Sequence, residues 1–388
     1  MDGSGGPDGV LLSECVCITG DTLSYPEGGG HFWVYLNWAL GLRASGCEVI
    51  WLEVVAPEID APALSRFYTC LEQRLERYGF RDSLVVCGHV GQDLDSAANC
   101  SWRGLEVAAD ADLFINLRYD LSPAILRHFR RTALLDIDPG LLQIWMSEGQ
   151  IQVSRHDLYF TTGETVGRAG SRCPDVGLPW RYTPPCVALD LWPVVPFAPD
   201  AAFSTISHWS GDEWVQHGEE IYINDKRAGF LPFLDLPRHV STPLELALRL
   251  APDEEEDRVM IQDRGWRLVD SRTVSAQPWD YQRYIQLSIG EFSAVKPSCV
   301  HLQNAWISDR TLCYLASGKP VVVQHTGPSR FLPDAEGLFR FHTLEDAATS
   351  LNAVTSDYDR HSRMARALAV EYFDAARVTT ALLERALS

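Results

Sequence analysis

Apolar positions alternate between two spacings along the chain. The run 11–19 (LLSECVCIT) is nearly continuous in apolar residues and bounded by polar ones, as a buried strand is. Pro26 and the glycines Gly28, Gly29 and Gly30 follow it. Phe32, Tyr35, Leu36, Ala39 and Leu40 then recur at three- and four-residue steps, which predicts a helix. Gly46 terminates that helix, and 47–55 (CEVIWLEVV) reads as a second strand. Strand, helix and strand in this order predict a parallel pair with a right-handed crossover. The alternation continues with a helix over 61–78, strands over 83–88, 112–117, 133–138 and 156–163, and a helix from Ser122.

Between 179 and 199 the pattern breaks. Pro179, Pro184, Pro185, Pro193, Pro196 and Pro199 leave no room for a helix or a central strand. This stretch is the expected connection between two domains, 1–190 and 191–388. Beyond it, strands are predicted over 202–209, 258–263, 291–296, 319–324 and 337–341. Helices are predicted over 228–236, 241–250, 309–317, 344–354 and 360–386. The acidic run Asp253–Asp257 reads as a solvated loop. Repeated alternation of strand and helix defines the fold class as α/β, in two Rossmann-like halves.

Composition narrows the function. The chain has 388 residues, with 33 Lys plus Arg against 52 Asp plus Glu, a formal net charge of −19. That excess opposes nucleic acid or an anionic membrane as a general partner and leaves only a local basic pocket for a small phosphate ligand. No apolar run is long enough to span a bilayer. The start, MDGSGGPDG, lacks the basic and apolar regions of a signal peptide, so the expected location is the cytoplasm. The ten cysteines form no CxxC pair and read as buried hydrophobes of a reducing compartment. The triplets Asp93-Leu-Asp95 and Asp136-Ile-Asp138 have spacing that chelates hard cations, but they fit a polar loop and a strand exit equally, and no metal is expected.

Two helix starts carry the candidate chemistry. The glycines before the first helix suggest close approach to a ligand, although Trp33 stands where a GxGxxG fingerprint needs its last glycine. In the second, Ser308 is placed to cap a helix beginning Asp309-Arg310-Thr311, and Arg310 offers a planar fork suited to diphosphate oxygens. Gly318 ends that helix and Pro320 forces entry into the next strand; Thr326 and Gly327 follow that strand.

The stretch Ala316-Ser-Gly318-Lys-Pro320-Val-Val resembles the GT-B glycosyltransferases, whose C-terminal domains carry Ala-x-Gly-x-Pro-Val-Val at this point. Ala335-Glu336-Gly337-Leu338, Leu344-Glu-Asp-Ala-Ala and the Ala-rich segment Ala365–Phe373 resemble the family's following elements, in order. The resemblance implies two Rossmann-like domains facing across a cleft, with the last helix returning to the first domain. It implies transfer of a sugar from a nucleoside diphosphate sugar (UDP-, GDP- or dTDP-linked) to a hydroxyl of a small-molecule or glycan acceptor, with no further cofactor. Lys226, Lys296, Ser308, Arg310, Thr311, Thr326 and Gly327 would bind the donor. Many retaining members carry two glutamates here; Ala305 and Cys313 occupy those places, so Asp309 or Glu291 would have to contact the ribose. His31 would be the base, held by Asp120, with Gly29, Gly30 and Trp33 on the acceptor side. A sugar-nucleotide epimerase of the same fold and a non-catalytic nucleotide-sugar-binding subunit are the alternatives.

Overall fold

The computed structural model describes residues 13–94, 102–211 and 213–388. The first half is a parallel sheet of β1 (Cys15–Thr19), β2 (Glu48–Val55), β3 (Leu84–Gly88), β4 (Leu113–Asn116), β5 (Thr132–Asp136), β6 (Leu158–Thr161) and the short β7 (Arg181–Tyr182). Its order is β3-β2-β1-β4-β5-β6-β7. The helices α1 (Gly29–Ala44), α2 (Ala61–Arg77), α3 (Pro123–Leu126) and α4 (Leu141–Ser147) connect these strands. The second half repeats the arrangement with β8 (Phe203–His208), β11 (Leu244–Arg249), β12 (Arg267–Asp270), β13 (Gly290–Ser293), β14 (Val321–Gln324) and β15 (Leu338–Phe341). Its order is β12-β11-β8-β13-β14-β15, also parallel. Both sheets therefore reverse direction beside their first strand, at β1/β4 and β8/β13, where α/β sheets open a crevice for ligands.

The second half carries α5 (Lys226–Phe230), α6 (Glu255–Asp263), α7 (Ser271–Ser275), α8 (Pro278–Leu287), α9 (Pro297–Leu302), α10 (Asp309–Ala316), α11 (Leu344–Ser356), α12 (Tyr358–Tyr372) and α13 (Ala375–Leu387). The expected helix 228–236 is only α5 followed by two short 3-10 turns, since Pro232 and Pro237 interrupt it. The single helix expected over 360–386 is two, divided at Phe373 and Asp374; the Asp374 side chain caps α13. An antiparallel hairpin, β9 (Trp214–His217) with β10 (Glu220–Ile223), had no counterpart in the sequence reading.

Two assignments reverse. The stretch 241–250, expected as a helix, contains strand β11, and 258–263, expected as a strand, lies within α6. In β11 the residues Leu244, Leu246, Ala247 and Leu248 are all buried, and pairing with β8 on one side and β12 on the other outweighs the helix preference of Leu and Ala. In α6 the residues Glu255, Glu256 and Asp257 occupy the first turn, where carboxylates complement the helix dipole, so the acidic run is a helix start as well as a loop.

The halves share a core. Phe32, Leu36 and Trp33 of α1 belong to one buried cluster with Tyr281 and Ile285 of α8, Leu312–Ala316 of α10, and Leu382 and Ala386 of α13. The chain thus ends against the element that follows its first strand. Ser45 Oγ lies 2.8 Å from Thr379 Oγ1, and a side chain at Gly41 would strike the Ala375 carbonyl at 2.7 Å.

Candidate active site at the two sheet edges

The helix α10 starts at the crevice of the second sheet. Ser308 caps it, its Oγ accepting from the Arg310 N–H at 3.2 Å. Arg310 lies under this turn. Its Nε donates to Glu291 at 2.8 Å, Nη1 to the Ile206 carbonyl at 2.9 Å and Nη2 to Ser293 Oγ at 2.8 Å. The fork expected to await a diphosphate is thus largely engaged by the protein itself. Glu291 is fully buried on that guanidinium, with Oε2 unpartnered, so it is no ribose contact. Asp309 stays partly open on the capped turn; burial raises its carboxyl, with Arg310 and His31 opposing.

Lys226 and Lys296 come to the same edge. Lys226 Nζ donates to the Ala294 carbonyl at 2.8 Å. Burial, with the nearby charges of Arg310 and Lys296, lowers its ammonium to about 7. Lys296 pairs with Glu213 at 2.5 Å; burial works against its charge, but Asp138 and Glu213 outweigh that and hold it protonated. Thr326 donates its hydroxyl to the Trp306 carbonyl at 2.6 Å. Gly327 has φ +132°, and a Cβ there would lie 2.4 Å from the Gln303 carbonyl, so only glycine fits the turn. Lys226, Ser308, Arg310, Thr311 and Thr326 line one cavity, together with Arg340. Its volume is 20 Å³, room for about one water.

Arg340 was not foreseen. Its guanidinium is nearly buried and ties the loop after β14 together through Asp334 and the Gly327 and Leu332 carbonyls. The three contacts are local to the folded loop, and no spacing in the sequence announces them.

Across the crevice, a cavity of 270 Å³ is lined by Asp21, His31, Tyr35, Arg118, Asp120 and Asp138. His31 Nε2 lies 3.0 Å from the Asp21 carbonyl. A carbonyl only accepts, so Nε2 is the donor in this contact and Nδ1 is the nitrogen left for another partner. The expected partner Asp120 is not bonded to His31. Arg118 grips it with two contacts of 3.0 and 2.8 Å, and the same guanidinium reaches Asp21 at 2.8 Å. Burial raises Asp120, and the Arg118 contacts outweigh it and hold the carboxyl below its usual range.

Asp138, read from sequence only as half of a possible metal pair, stands exposed at this wall, within electrostatic reach of Lys296 and Lys226. Its companion Asp136 is buried, and its oxygens accept from Gln143 Nε2 (2.7 Å), Thr161 Oγ1 (2.8 Å) and the Asp138 N–H (3.0 Å). Asp136 braces a turn. Asp95 lies outside the described residues, and among those described no group of three metal-ligating side chains is found.

The acceptor-side expectations at the first helix need correction. A Cβ at Gly29 would lie 2.4 Å from the Gln277 carbonyl, and one at Gly30 would lie 2.6 Å from the Tyr281 ring. Both glycines admit α8 of the other half. Trp33 is buried, donates to the Pro278 carbonyl at 2.8 Å and packs on Trp192 at 4.8 Å between ring centres. Its faces serve packing between the halves. A contact missed in the sequence joins the two crevices: Tyr25 OH meets His208 Nε2 at 3.1 Å and Arg249 at 3.4 Å.

Solved structures of similar shape span nearly the whole chain. A sucrose-phosphate synthase from Thermosynechococcus elongatus is 12% identical, with 96% of this chain and 98% of that one covered at TM-score 0.53. An alpha-glucosyltransferase in complex with UDP and a 13-mer DNA is 12% identical over 97% of this chain and 100% of that one, at TM-score 0.57. HepE of Anabaena in complex with UDP is 12% identical over 96% and 99%, at TM-score 0.54. The chain has the GT-B fold. No family model and no curated protein matches the sequence. No helix among the described residues is long and apolar enough to cross a membrane.

Proposed function

We propose that this GT-B protein is a glycosyltransferase that moves a sugar from a nucleoside diphosphate sugar to an acceptor hydroxyl. Residues 191–388 hold the donor and residues 1–190 the acceptor. The observation that carries the reading is the Lys226 ammonium beside the Ser308-capped start of α10, at a strand-order reversal facing a second cavity that contains His31. Helix N–H groups and ammonium charge are the means by which a leaving diphosphate is stabilised without a metal. The UDP found in several structures of similar shape makes uracil the first nucleobase to test.

In the proposed reaction the acceptor hydroxyl gives its proton to His31 Nδ1 as its oxygen attacks the anomeric carbon. The bond from that carbon to the diphosphate oxygen breaks, and the electron pair leaves with the nucleoside diphosphate. Lys226 and Lys296 face the departing charge. Arg310 serves from below, by fixing Ser293 and the turn of α10. The donor cavity itself has room for little more than a water, so most of a nucleotide would lie in the crevice in front of it. Net charge −19 supports a small-molecule or glycan acceptor over nucleic acid, although one protein of similar shape was solved with DNA.

Thermal shift with UDP, GDP, dTDP and CDP tests the donor. A ligand at 100 times its Kd stabilises by about 2.7 kcal/mol, a readily measured rise in Tm. A flat response to all four nucleotides overturns the reading. For the metal-free mechanism, turnover should survive a chelator; activity lost in chelator and restored by manganese overturns it.

A further inference from the structure

A second seam between the halves lies beside the donor loop. Glu164, in the loop after β6, is buried, yet it makes four contacts. It accepts from Ser329 Oγ (2.6 Å), from the N–H and Nε of Arg330 (3.1 and 3.2 Å) and from Arg168 Nη1 (3.0 Å). Several hydrogen bonds to the ionised form, against the cost of burial, hold its carboxyl below the usual range. The carboxylate is saturated. The Arg330 Nη groups and the Nε and Nη2 of Arg168 have no hydrogen-bond partner among the described residues, and Arg172 reaches only the His301 carbonyl at 3.3 Å.

These three guanidinium groups line one cavity of 470 Å³ that also takes in Thr165, Ser171 and Gln303. Rings brace two of them. Arg168 lies 6.0 Å from the Tyr182 ring centre and Arg330 lies 5.3 Å from that of Phe331. The two rings stack on each other across the seam, 5.9 Å apart and 9° from parallel. Three cations around a single, fully engaged carboxylate leave a local surplus of positive charge in a chain of net charge −19. Nothing in the proposed sugar transfer uses them.

We propose that this seam pocket binds a phosphate group, either free in solution or carried on a sugar. Planar guanidinium forks match phosphate oxygens in pairs, and forks already held by rings lose little freedom on binding. The cavity is within the size range of small-ligand pockets, large enough for a sugar phosphate. Its lining comes from both halves, and Pro328–Arg330 follow closely on Thr326 of the donor wall. A ligand here therefore bridges the halves and steadies the donor loop. By linkage, phosphate and nucleotide strengthen each other's binding by the same factor.

Titration calorimetry of the full chain with inorganic phosphate and with glucose 6-phosphate, each with and without UDP, tests the site. Both probes should bind, and Arg172→Gln and Arg330→Gln should each weaken them by about fivefold or more. Arg130→Gln, at an exposed pair with Asp110 elsewhere on the surface, should change nothing. Arg172 takes no part in the Glu164 contacts, so its variant remains decisive should Arg330→Gln loosen the seam. Glucose 6-phosphate binding about tenfold tighter than phosphate supports a sugar phosphate as ligand, and equal affinity supports the free anion. Absence of heat with both probes up to roughly 10 mM overturns the proposal. So does unchanged affinity in the Arg172 variant, whatever the response to nucleotides.

Discussion

Two helices begin at facing sheet edges, and their first turns are built for different purposes. The start of α1 is led in by three glycines, of which Gly29 and Gly30 lie against the backbone and ring of α8. The start of α10 has no glycine; Ser308 caps it, and Lys226 stands beside a cavity in front of it. Glycine before a helix reports that something comes close to the backbone, but not what it is. Here the visitor is the Gln277 carbonyl and the Tyr281 ring. A capped turn beside an ammonium that meets a carbonyl but no carboxylate among the described residues is the more informative feature, because burying that charge costs free energy that packing alone does not recover.

The largest effect expected from this contrast is at Arg310. Arg310→Ala leaves Glu291 buried without its partner, and should destabilise the chain by about 3–5 kcal/mol in urea unfolding. Adding Glu291→Gln should restore part of that loss. A loss below about 1 kcal/mol would return Arg310 to the role of a free ligand-binding fork. Next comes His31→Gln, expected to slow transfer by about 100-fold while nucleotide affinity changes less than about twofold. Equal turnover in that variant removes His31 as base.

Gly29→Ala should cost about 1–3 kcal/mol through the clash with Gln277, with nucleotide affinity preserved. If affinity fell and stability held, the two helix starts would exchange roles. The smallest effect is in pH. Lys226 is charged below about 7 and neutral above it, so nucleotide affinity should fall about tenfold between roughly pH 6 and 8. Lys226→Met should be weak throughout and insensitive to pH over that interval. A wild-type affinity that is level across it contradicts the lowered ammonium.

Strand and helix alternation was legible wherever apolar spacing and breakers agreed, as around β1, α1 and β2. It failed at 241–263, where helix-forming Leu and Ala sit in a strand and a β-like run, RVMIQD, sits in a helix. In both places neighbours distant in sequence decide the outcome: β8 and β12 flank β11 on either side. The site was legible where a residue's own loop carries the signal, as at Ser308 and Gly327. It was not where the signal is a partner more than a hundred residues away, as for Glu164 with Ser329 and Tyr25 with His208. The sequence placed His31 at the first helix start but gave no sign of its hydrogen-bond partner, because a backbone carbonyl such as that of Asp21 leaves no mark in a sequence.

The packing of α13 on α1 has a consequence for folding. The contact between Ser45 and Thr379 spans 334 positions, so α1 is covered only once nearly all of the chain between them has found its place. The first sheet must therefore wait with an apolar flank open. Chains cut before residue 375 should keep that flank open and aggregate where the uncut chain stays in solution.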